Sequence, residues 1–197
     1  MKIRTAVVMA MVLSARIQAR DAKQARDGRI EACINQLGNS DSMSQAQTVA
    51  SQMFKDIGVT LNFHTNPRSC PPEAIRISLT GHTPASLLPG ALACAEPYEG
   101  VHLRIFWDRV QDFATTRRVP NLLAYVLVHE ITHLVQGINR HSDRGVMKAR
   151  WDGDEYDQMR SKRLAFTRYD VELIRLGLEA RRSRAVLAKS GAVNCGN

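Results

Sequence analysis

The sequence predicts an α+β domain, with an amphipathic helix, a small mixed sheet and then further helices. Three observations carry this. Residues 42–57 set Met43, Ala46, Ala50, Met53, Phe54 and Ile57 at three- and four-residue intervals, the period of a helix with one buried face. VTLNFHT at 59–65, AIRISLT at 74–80 and VHLRIFW at 101–107 are strand-like, the last alternating Val101, Leu103 and Ile105 against His102 and Arg104. Residues 120–136 carry Leu122, Leu123, Val126, Leu127, Ile131 and Leu134, apolar nearly all round, so this helix is buried.

The remaining elements follow from their punctuation. A polar leader runs to about residue 30. Asp41 or Ser42 caps the first helix and Gly58 stops it. A loop with Pro84, Pro89, Gly90 and Cys94 separates the second and third strands. Residues 108–117 form a short helix, and Pro120 opens the longer one that ends at Gln136 before Gly137. The segment 138–153 reads as irregular. A last helix runs from Thr167 to about 187, with Thr167 and Asp170 spaced as a capping box.

At 197 residues the chain suits one domain with its own core. With 44% hydrophobic and 23% charged residues it is neither disordered nor fibrous in composition. Lys2 and Arg4 precede an apolar run from Thr5 to Leu13 and then small residues. That order predicts a signal peptide over residues 1–19, cut after Ser14, Ala15 or Ala19, and a domain over 20–197 in the periplasm or medium. The alternative is the disordered or helical N-terminus of a cytosolic protein. No other stretch is long and apolar enough to span a bilayer, so stable membrane insertion is not expected.

Four cysteines without CxxC spacing, Cys33, Cys70, Cys94 and Cys195, predict two disulfides in an exported chain. The favoured pairs are Cys70 with Cys94 and Cys33 with Cys195. The net charge is +8, and +5 without Lys2, Arg4 and Arg16. Much of the excess lies in the C-terminal third, at residues such as Arg168, Arg175, Arg182 and Arg184. A solvated helix face is the favoured reading over a nucleic-acid or anionic-surface binding face, since no aromatic interleaving accompanies the charge.

The chemistry concentrates in LAYVLVHEITHLVQGINRHSDRGVM, residues 123–147. Four residues apart on a helix, His129 and His133 lie on one face and can direct nitrogens to a single ion. Glu130, about 100° around the helix, can reach a water beside that ion as general base without binding the ion itself. Zinc suits such a site, because two imidazoles and one further protein ligand leave a fourth position open. His141, with Gly137 midway to it from His133, is the favoured third ligand. Glu155, Asp152 or Asp154 are the alternatives. Without a metal, a glutamate and two histidines buried on this helix would be costly.

These residues resemble a known family. HEITHLVQGINRH followed by GVM is similar to the metzincin zinc peptidases, and to short exported bacterial proteins with HExxHxxxGxxxHxxxGhM and a tryptophan soon after, here Trp151. The resemblance implies a metzincin-like domain with His129, His133 and His141 as zinc ligands, Glu130 as general base and Met147 in a tight turn under the metal. It covers residues 120–151. In the usual metzincin motif the glycine and third histidine follow the second histidine by three and six residues; here they follow by four and eight. No tyrosine sits two residues after Met147, so Tyr156, Arg150 and Tyr169 are weighed for the oxyanion and more simply read as structural.

His64, His82 and His102 read as ordinary strand or loop histidines, and Asp143 as either a partner of a ligand histidine or a turn former. The expected function is hydrolysis of peptide bonds in a peptide or protein substrate, no nucleic acid being expected. If strand 101–107 is the sheet edge, extended substrate can pair with it by strand addition. The rival readings are a zinc-binding protein without peptidase activity and a basic binding module.

Overall fold

The computed structural model describes residues 28–34, 40–85, 87, 90–95, 99–117 and 121–193. The signal-peptide segment, Pro120 and Cys195 lie outside them. Among these residues five strands, β1 (Gly28–Ile34), β2 (Val59–His64), β3 (Ile75–Thr80), β4 (Ala93–Ala95) and β5 (His102–Phe106), form one sheet in the order β2-β1-β3-β5-β4. All pairings are parallel except β4 with β5. The helices are α1 (Ser40–Lys55), α2 (Trp107–Arg117), α3 (Leu122–Gln136), α4 (Gly153–Ser161) and α5 (Arg168–Val193), so the domain is α+β as its sequence predicts.

Period-two alternation explains the layering. Ile30, Ala32, Leu61, Ile75, Ile77, Leu103 and Ile105 are buried on one face of the sheet. Arg29, Thr60, Arg76, Ser78, His102 and Arg104 stand exposed on the other. Among the described residues only the first face is covered: α1 and α3 pack on it and on each other, and α5 packs on α3. Because α3 is enclosed by sheet, α1 and α5, it must be apolar on every side, and Leu122 to Val135 are buried but for Glu130. Arg181 of α5, itself desolvated, donates to the Leu134 carbonyl at 3.2 Å and to that of Gly100, pinning the end of α3. No helix among the described residues is long and apolar enough to cross a membrane.

Three elements depart from the sequence reading. β1 begins within what reads as the end of a polar leader and continues past it. Its Gly28, Arg29 and Glu31 have little strand preference, and it exists because β2 and β3 pair with it from both sides. β4 falls inside the expected loop and is only three residues long. α4 is polar and buries only Glu155 and Met159; a capping box between Asp152 and Glu155 defines its start.

The disulfide pairing also differs. Cys33 is bonded to Cys70, which replaces both expected pairs, Cys70 with Cys94 and Cys33 with Cys195. The strand register explains why. His64 ends β2 opposite Cys33, and Ile75 begins β3 opposite Ala32, so the connection carrying Cys70 stays at that end of β1. Cys94 sits exposed on β4, with β3 and β5 between it and β1.

Candidate metal centre

The expected helical pair is formed on α3. His129 and His133 are buried, and their Nε2 atoms are 3.1 Å apart. Each ring is held by its other nitrogen, since His129 Nδ1 donates to the Val146 carbonyl at 2.8 Å and His133 Nδ1 to the Ile138 carbonyl at 3.2 Å. A carbonyl can only accept, so both protons are on Nδ1 and both Nε2 atoms present lone pairs to one another. Two facing acceptors repel unless a cation lies between them. A proton is a poor candidate, because burial first, and then each ring's histidine neighbour, push both pKa values down to about 4.

His141 completes the cluster. The three imidazoles each offer a nitrogen, and these lie within 4.8 Å of one another. Tetrahedral zinc with bonds of about 2.05 Å separates its ligand nitrogens by about 3.3 Å, so the 3.1 Å edge fits, and the exposed His141 ring offers the third nitrogen. Burial, and then the charge of Arg140, lower the His141 pKa as well, keeping this ring available as a neutral ligand.

Two turns flank that corner. Gly137 takes the left-handed conformation, φ 69°, and its N–H closes α3 on the His133 carbonyl at 2.9 Å. After His141 the chain turns again through Gly145, φ 78°, where a Cβ would lie 2.3 Å from the Ala165 carbonyl oxygen. Only glycine meets both demands there. This second turn buries Met147 completely and aims the Val146 carbonyl at His129; Trp151 Nε1 donates to the same carbonyl at 3.3 Å. Met147 thus occupies the turn that supports a histidine of the triad. The signal for these carbonyl partners is absent from the side-chain sequence, because backbone oxygens make the contacts.

Glu130 is partly buried, and burial of its carboxylate raises its pKa to about 7, offset by a hydrogen bond from the backbone N–H of Ala95. Ala95 belongs to β4, the terminal strand of the sheet. The condition for pairing substrate on strand 102–106, that it be the edge, is not met: among the described residues β4 covers it and places the edge beside Glu130.

Two of the alternative carboxylate ligands are engaged elsewhere, since Glu155 and Asp152 each accept a hydrogen bond from Lys148 Nζ at 2.6 Å; Asp154 is exposed and is not in the triad. His64 pairs with Glu31 at 2.6 Å and His102 with Glu99 at 2.5 Å, neither in the triad. His82 and Asp143 are exposed. Tyr156 packs on Phe113 with ring centroids 5.5 Å apart, Tyr169 lies under the Arg140 guanidinium at 4.5 Å, and Arg150 is exposed. Part of the C-terminal basic excess is paired, as in Arg163 with Asp56 at 3.0 Å.

No family model matches the chain, and no curated protein is similar to it in sequence. Among solved structures, the crystal structure of archaemetzincin from Methanopyrus kandleri is similar, with 17% identity and a TM-score of 0.49 over 78% of this chain and 98% of that one.

Proposed function

We propose that this chain is an exported zinc metallopeptidase of metzincin type. One observation carries the reading: two buried Nε2 lone pairs face each other at 3.1 Å with a third imidazole beside them, an arrangement a metal cation satisfies. His129, His133 and His141 would hold zinc. When bound, zinc supplies a Lewis acid that polarises a substrate carbonyl and lowers the pKa of water to about 7.

The chain's own residues do the rest. Glu130 follows His129 on the helix, and burial tunes its carboxylate to about 7, the range in which one group both takes and returns a proton near neutrality. It accepts the proton of the attacking water and delivers it to the departing amine. The Ala95 N–H orients that carboxylate. β4, as the terminal strand, offers the edge on which an extended peptide can align beside Glu130. Export is supported by the N-terminal leader and by a disulfide between Cys33 and Cys70, a bond favoured in oxidising compartments.

The purified full chain tests this directly. Glu130→Gln should retain about one equivalent of zinc and lose hydrolysis of a fluorogenic peptide library. Unaltered hydrolysis by that variant overturns the mechanism. A wild-type protein that binds zinc and cleaves nothing supports a metal-binding role without catalysis.

A further inference from the structure

We propose that Asp170, in the first turn of α5, is a positioning residue that sets His141 against the metal. The proposal rests on the zinc reading above and adds how the third corner of the site is held. His129 and His133 are each fixed by a backbone carbonyl, whereas the exposed His141 ring is placed by the backbone on either side of it. Both of its neighbours bond to one oxygen of Asp170: Ser142 Oγ donates to Oδ1 at 2.6 Å and Arg140 Nη1 donates to Oδ1 at 3.1 Å. Arg140 Nη1 also donates to Ser142 Oγ at 3.2 Å, and the Ser142 N–H donates to the Met147 carbonyl at 2.8 Å. His141 is thereby suspended between α5 and the Met147 turn.

Helix capping accounts for only half of this. Asp170 Oδ2 accepts the N–H of Thr167 at 2.8 Å and its hydroxyl at 2.6 Å, and the Asp170 N–H donates back to Thr167 Oγ1 at 3.1 Å, which completes the expected capping box. Oδ1 contributes nothing to that box and is turned wholly to the loop. Asp170 is 0% exposed, and a carboxylate so buried is tolerated only when its acceptor positions are filled. Its two Oδ1 donors lie 28 and 30 residues away and bracket His141.

The motif's spacing shows what the clamp does. His141 follows His133 by eight residues rather than six, and residues 138–141 belong to no helix or strand whose hydrogen bonds would fix them. Ordering each backbone residue costs conformational entropy, a cost that metal binding would otherwise have to meet. By tying residues 140 and 142 to α5, Asp170 places the nitrogen before the ion arrives.

A double-mutant cycle on zinc affinity tests this. Ser142→Ala removes a donor to Oδ1 and leaves the Thr167 cap intact. It should weaken zinc binding about ten-fold in the otherwise wild-type chain, as loss of a supporting partner does, and less than about two-fold in the His141→Ala background. The d–d spectrum of cobalt-loaded Ser142→Ala should move toward that of His141→Ala. Asp170→Asn, which also disturbs the cap, should show the same dependence on His141 whatever its effect on melting temperature. Equal losses in both backgrounds, or no loss, overturn the clamp and leave the zinc reading standing. A wild-type chain that binds no zinc overturns both.

Discussion

The Nε2 atoms of His129 and His133 stand 3.1 Å apart, each on a ring whose Nδ1 proton is already given to a backbone carbonyl. The chain therefore holds two acceptors in contact, buried, with no proton at neutral pH to lie between them. Purified protein should carry about one equivalent of zinc. His129→Ala or His133→Ala should weaken binding by more than about 100-fold, beyond the 10–100-fold typical of supporting partners. Elemental analysis and competition with a chromophoric chelator measure both.

Glu130→Gln isolates proton transfer from metal binding. The carboxylate is costly to ionise where it lies, with a pKa near 7, so a neutral amide of the same shape should not lower stability. Turnover should fall about 10²- to 10⁴-fold with zinc content unchanged.

The pH dependence of the metal-free fold carries two opposed signs. His129 and His133 titrate near 6.5 when unfolded and near 4 when folded, so the unfolded chain binds more protons between those values and stability falls as pH drops through that window. Glu130 titrates near 4.5 unfolded and near 7 folded, so its contribution is present below 4.5 and is lost as pH rises through 7. The two partly cancel between 4.5 and 6.5. In chelator-treated Glu130→Gln the melting temperature should therefore rise more steeply from pH 4 to 6.5 than in chelator-treated wild type.

Gly145→Ala should be among the most damaging of small substitutions. It combines a left-handed backbone with a Cβ placed 2.3 Å from the Ala165 oxygen, in the turn whose Val146 carbonyl steadies His129. A loss of about 2 kcal/mol, roughly 4–8 °C in melting temperature, is expected together with weaker zinc binding. Gly153→Ala, where no atom lies within 4 Å of an added Cβ, is the control.

A non-reducing digest should yield a peptide linking Cys33 to Cys70. The bond spans 37 residues, for which loop-closure entropy amounts to about 4 kcal/mol. Cys33→Ser should lower stability by up to that amount, and recovery of Cys70 linked to Cys94 would contradict the register of β1, β2 and β3.

The HExxH helix was legible in the sequence because both of its signals are local. A four-residue spacing puts two histidines on one face whatever surrounds them, and apolar residues on every side require burial. The α1 helix, the strands β2, β3 and β5, the capping box at Thr167 and Asp170, and the turn at Gly137 are local in the same way. What only the tertiary structure decided depends on contacts between distant residues. β1 is stabilised by its two neighbours rather than by its own composition, and the Cys33–Cys70 pairing follows from a register among three strands. The edge of the sheet passes to β4 because three residues beyond a loop pair back on β5. His141 rather than Glu155 joins the histidine cluster, and Lys148 takes the Glu155 carboxylate. Spacing along a chain sets which side chains share a helix face, but the filling of a third corner is set by where separate elements meet, and there backbone carbonyls and one buried aspartate do the placing.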